Sequence, residues 1–148
     1  MTRQSKNKVK LNQQYRNIGR LPLGAAKTIK EMMDLPEIVR QIRSNSGNTL
    51  KHNHCHADEM EKQLDKLGLT KEGYAEYVVN NFNQIRVGNV PKSLVLAIMD
   101  KDLGHIAAVR LHYYLNENFW LVTTVHAMKP KDIEKSGLIW EKRKTDQS

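Results

Sequence analysis

The 148-residue sequence contains one cysteine, Cys55. A disulfide within the chain is therefore impossible, and a structural zinc site built from several thiolates is excluded. No apolar run approaches the roughly 18 residues that cross a bilayer as a helix. The N-terminal residues are polar and lack the apolar core of a cleavable signal, so the expected setting is the cytoplasm, or delivery elsewhere as part of a larger product. Acidic residues are missing from residues 1–20, which carry Arg3, Lys6, Lys8, Lys10, Arg16 and Arg20. Over the whole chain 24 Lys and Arg stand against 16 Asp and Glu, a formal net charge of +8. A small protein this basic is drawn to polyanions: nucleic acid, an anionic membrane surface or an acidic partner.

The pattern along the chain divides it into residues 1–24, a basic and flexible arm; residues 25–48, a helical lead-in and linker; residues 49–143, a compact domain; and a tail at 144–148. In the lead-in, Ile29, Met32 and Met33 give one short apolar helical face. Pro36 interrupts it, and Ile38, Val39 and Ile42 continue a second helical piece. Within the domain, His56, Met60, Leu64 and Leu67 fall on one helical stripe closed by Gly68. Thr70 is a suitable N-cap for a further helix, whose spacing runs through Tyr74, Tyr77, Val78, Asn81, Phe82 and Ile85. Strands are expected at Leu94 to Met99, Ile106 to Tyr114 and Phe119 to Val125, with turns at 100–104 and 116–118, and an edge strand starting at Leu138-Ile139-Trp140. Lys131 to Lys135 fit one helical turn. The expected fold is α+β, with N-terminal helices packed on one face of a four-stranded antiparallel sheet and the other face open.

The stretch from Lys51 to Asp58 is the densest cluster of reactive side chains, with His52, His54, Cys55, His56 and Asp58. On a helix, positions 52 and 56 share a face while 54 and 55 point elsewhere, and no second cluster supplies ligands, so the reading is a site without metal. A histidine is instead suited to proton transfer near neutrality. On the strands, Arg110 and His112 share a face opposite Val109, Leu111 and Tyr113. Trp120, Val122, Thr124 and His126 share a face by strict alternation. A one-residue shift in register decides whether Thr123 or Thr124 lies beside Arg110. Metal-independent RNA cleavage needs a base for the 2′-hydroxyl, an acid for the leaving 5′-oxygen and cations for the phosphorane, and these residue types suffice if they converge.

Three segments carry a family resemblance: Asn48-Thr49-Leu50-Lys51-His52; Tyr77-Val78-Val79-Asn80-Asn81-Phe82-Asn83-Gln84-Ile85-Arg86; and Phe119-Trp120-Leu121-Val122-Thr123-Thr124. In order and spacing they resemble the phage-associated nuclease domains grouped with barnase, EndoU, colicin-type tRNases and RelE, over about 95 residues from Thr49 to Arg143. The resemblance implies an endoribonuclease of a phage or polymorphic toxin system. It also implies tRNA or mRNA as substrate, no cofactor, and a cognate immunity or antitoxin protein. His52 matches the family's histidine, Thr124 its strand threonine and Arg86 a basic position after the second helix. Arg110 is added from its strand position and charge. The candidate catalytic set is thus His52, Arg110 and Thr124, with Lys51, Arg86, Trp120 and His126 as substrate-binding residues. The alternatives are a nucleic-acid-binding module without catalysis, or a structural or interaction protein of a phage particle.

Overall fold

A computed structural model describes residues 15–45, 68 and 70–142, with the backbone alone at 71 and 72. In chain order the elements are β1 (Tyr15–Arg20), α1 (Leu23–Met33), β2 (Gln41–Asn45), α2 (Lys71–Asn81), β3 (Gln84–Val87), β4 (Ser93–Ile98), β5 (Gly104–Tyr114), β6 (Glu117–Met128), α3 (Pro130–Ile133) and β7 (Leu138–Glu141). The seven strands form one sheet in the order β1-β2-β6-β5-β4-β3-β7. Neighbours pair antiparallel except β2 and β6, which run parallel through Ile42 opposite Trp120 and Arg43 opposite Leu121.

This architecture corrects the expected one. The sheet has seven strands rather than four and is mixed rather than antiparallel, and its helices are interspersed with strands rather than gathered at the N-terminal side. The difference arises in three segments. Residues 15–20, within the stretch expected as an arm, form β1 on the sheet edge. Ile42, expected on a second helical piece, lies in β2. Here α1 stops at Asp34, whose backbone takes the left-handed conformation (φ 52°, ψ 51°), and Pro36 and the β-branched Ile38 and Val39 follow before β2.

Ile85, expected on the second helix, is in β3 opposite Leu96. Its spacing from Phe82 fits a helix, but Phe82 is extended (φ −61°, ψ 142°) and ends α2. Asn83 then holds the chain against β4. Its Oδ1 accepts the Met99 N–H at 2.9 Å and its Nδ2 donates to the Met99 carbonyl at 3.3 Å. The start of α2 follows the sequence: the Thr70 hydroxyl accepts the Gly73 N–H at 3.1 Å.

The main core lies between one face of the sheet and the two longer helices. Ala25, Ala26 and Ile29 of α1 and Tyr74, Val78 and Val79 of α2 meet Ile42, Ile85, Leu94, Leu96, Val109, Trp120, Val122 and Val125 there. Trp120 is fully buried and donates its indole N–H to the Val39 carbonyl at 3.0 Å. On the opposite face, among the described residues, only the single turn of α3 covers the strands, where Ile133 packs against Ala97 and Ile106.

Two backbone details set the strands. β5 and β6 are joined by a two-residue turn at Leu115-Asn116, both with positive φ (51° and 63°), the geometry that matches strand twist in a tight hairpin. The turn therefore comes one residue before the expected 116–118, and Glu117 already pairs with Tyr114. At Gly88, an added Cβ would fall 2.7 Å from the Ser93 backbone carbon, so the close approach of the β3–β4 connection requires glycine.

Candidate functional site on the open sheet face

The open face is built by the register of four strands. Gln84, Ala97, Ile106 and His126 make one row across β3, β4, β5 and β6. Arg86, Val95, Ala108 and Thr124 make the next, followed by Ser93, Arg110 and Leu121. His112 and Phe119 pair in the row beyond. Side chains alternate between faces, so each row belongs wholly to the face opposite α2.

A β-bulge decides the composition of this face. Ala108 pairs with Thr124 but Val109 pairs with Val122, so β6 holds one extra residue, Thr123, at that point. Its hydroxyl donates to the Ala108 carbonyl at 3.2 Å. Before the bulge, Trp120 and Val122 point into the core; after it, Thr124 and His126 point to the open face. Strict alternation puts all four on one face, and the bulge separates them. It also resolves the register: Thr124 is the threonine on the Arg110 face.

Next to α3 the face hollows into a cavity of about 590 Å³, lined among others by Arg110, Thr123, Thr124, His126, Lys135 and Ser93. Three residues singled out in the sequence therefore converge there: Arg110, Thr124 and His126. Arg110 is exposed and has no hydrogen-bond or ion-pair partner among the described residues. Lys135 pairs with Asp132 at 3.1 Å. The His126 ring is buried, and its Nδ1 lies 2.9 Å from the Ala127 carbonyl. A carbonyl only accepts, so Nδ1 carries a proton in this contact.

Arg86 lies on the same face but deeper. It is buried, donates Nε to Gln84 Oε1 at 2.9 Å and Nη1 to the Ser136 carbonyl at 2.5 Å, and so ties β3 to the loop before β7. Trp120, expected to bind substrate, is instead enclosed in the core on the other face, because the bulge lies beyond it. Lys51 and His52, with the rest of the 51–58 cluster, lie outside the described residues.

The sequence reading left several neighbours unassigned. His112 packs in a cluster of three mutually tilted rings with Tyr15 (centroids 5.4 Å) and Phe119 (5.3 Å), which are themselves 5.3 Å apart, and Tyr15 Oη lies 3.4 Å from its Nε2. Partial burial, and then the positive charge of Arg110 two residues away, hold its pKa below the ordinary histidine value. Arg43 on β2 lies over the Phe119 ring at 4.4 Å while pairing with Glu117 at 2.9 Å. Tyr15 and Arg43 sat in segments read as arm and helix, so no strand register linked them to Arg110. His112 was placed on the Arg110 face, and only the hairpin partner Phe119 shows what surrounds it.

The open face thus presents a guanidinium without a partner among the described residues, a threonine hydroxyl and two imidazoles, bordered by aromatic rings. Such a surface can hold a phosphodiester, exchange protons with it and stack a neighbouring base. No family model, no curated protein sequence and no solved structure matches the chain.

Proposed function

We propose that the open face is the substrate cleft of a metal-independent endoribonuclease acting on tRNA or mRNA. The observation that carries this reading is the convergence of Arg110, Thr124 and His126 on one cavity, although they come from two strands and are separated from Trp120 by a bulge. Arg110 holds a non-bridging phosphate oxygen and stabilises the charge that develops on the phosphorane. The Thr124 hydroxyl donates to the same group. The 2′-hydroxyl attacks phosphorus, the bond to the 5′-oxygen breaks, and the products are a 2′,3′-cyclic phosphate and a 5′-hydroxyl end.

Proton transfer requires one group to take the 2′-hydroxyl proton and one to supply a proton to the leaving oxygen. His126, which lines the cavity, fits one of these tasks, and His52 is the further acid or base that the family resemblance implies. His112 lies three rows along the sheet from His126 and outside the cavity, so it takes neither task. The same resemblance supports a toxin acting in the cytoplasm, with an immunity or antitoxin protein of acidic surface that covers the cleft. Among the described residues no helix is long and apolar enough to cross a membrane.

The test is incubation of the purified protein with total RNA in EDTA. Cleavage with cyclic phosphate ends, lost in Arg110→Ala, is the expected result. Salt-sensitive RNA binding without product would replace it with the reading of a binding module lacking catalysis.

A further inference from the structure

A second cavity, of about 890 Å³, lies on the helix side of the sheet, where the end of β1, the start of α1 and the end of α2 approach β7. Arg20, Arg40 and Lys142 line it, and among the described residues no carboxylate does. Arg40 is half-buried and donates Nε to the Leu21 carbonyl at 2.9 Å, which fixes the plane of its guanidinium. Its two terminal nitrogens have no partner among the described residues. A cation withdrawn from water without a counter-charge is unfavourable, and an oriented guanidinium fork matches the oxygens of a phosphate.

The wall facing these cations is aromatic. Trp140 of β7 is half-buried and meets Phe82 edge to face, at 5.9 Å between centroids and 69° between planes. That contact holds the indole in place at the cavity. Asn80 lies between the two walls, with Nδ2 already donating to the Ile18 and Glu76 carbonyls, so Oδ1 is left to accept. The volume falls within the about 300–1,000 Å³ typical of small-molecule sites.

We propose that this cavity is a nucleotide site, with Arg40, Arg20 and Lys142 on the phosphate and Trp140 stacked on the base. It is separate from the open-face cleft and does not depend on the ribonuclease reading. The occupant is either a free mononucleotide or the terminal nucleotide of an RNA strand, since both present the same phosphate and base.

The chain has two tryptophans, and Trp120 is fully buried, so fluorescence quenching by added nucleotide reports Trp140. The full chain is titrated with adenosine 5′-monophosphate, with a short 5′-phosphorylated oligoribonucleotide, with adenosine and with inorganic phosphate. Saturable quenching by the monophosphate is expected. The affinity should fall at least tenfold in the Arg20→Ala/Lys142→Ala double variant, whose exposed positions leave the melting temperature unchanged, and remain the same in Arg110→Ala. Tighter binding of the oligonucleotide assigns the site to a strand end, and equal or weaker binding to a free nucleotide. Absence of saturable quenching would overturn the proposal. So would an unchanged affinity in the double variant, or competition by adenosine alone or inorganic phosphate alone that equals the monophosphate.

Discussion

On β5 and β6 the covered face holds Ala107, Val109, Trp120, Val122 and Val125, all buried against the helices. The open face of the same two strands holds Arg110, His112, Thr124 and His126 beside the cavity and its aromatic border. One backbone therefore serves two purposes. Its apolar side supplies the burial that keeps the sheet folded, while its polar side is left with groups that a stable core does not need. The two sides are exchanged at a single point, the extra residue Thr123. Substitutions on the covered face should act on stability and those on the open face on RNA, and the predictions below measure how cleanly this division holds.

The largest effect is expected from Trp120→Ala, which removes a fully buried indole and its hydrogen bond to Val39. Its cost should be about 3–5 kcal/mol. Trp120→Phe should bind RNA as the parent does, since the side chain is out of reach of the open face.

Arg110→Ala lies at the other end of the comparison. The side chain is exposed and without a partner among the described residues, so unfolding should change by no more than about 0.5 kcal/mol. RNA binding should weaken, and the slope of log affinity against log salt should fall by about 1, as for one lost phosphate contact. An unchanged salt slope would remove Arg110 from the cleft.

The smallest expected effect is the pH dependence through His112. Its folded pKa is lowered, so the unfolded chain binds more protons as pH falls below the ordinary histidine value. The contribution of this residue to stability is therefore present above that value and is lost as pH falls through the lowered folded one. His112→Gln should flatten the stability profile on the acid side of neutrality, as read by urea midpoints from pH 7 to pH 5.

Much of the later half of the fold was legible in the sequence. The apolar run at Leu94, the alternation from Ile106 and the aromatic, β-branched stretch from Phe119 all form strands, and Thr70 caps its helix. The first half was not legible, because β1 and β2 are short segments of mixed composition whose strand state comes from pairing with each other and, for β2, with β6. Ile85 was misread because its spacing from Phe82 suits a helix, and the Asn83 side-chain clamp on Met99 that ends the helix is a tertiary contact. For the site, the sequence named Arg110, Thr124 and His126, and their meeting at one cavity follows from a bulge that alternation alone does not reveal. The same bulge explains why Trp120 was grouped with them and is not among them.

The proposed function is that the polar side of this sheet cleaves RNA without metal. The most direct measurement is RNA cleavage in EDTA by the parent chain and by Arg110→Ala and Thr124→Ala, each shown by urea unfolding to remain folded. The account predicts cyclic phosphate ends from the parent and a rate at least about a hundredfold lower for Arg110→Ala, in line with removing a donor to transition-state charge. Thr124→Ala should show a smaller loss. Cleavage by both folded variants at the parental rate, or no cleavage by the parent, would contradict it.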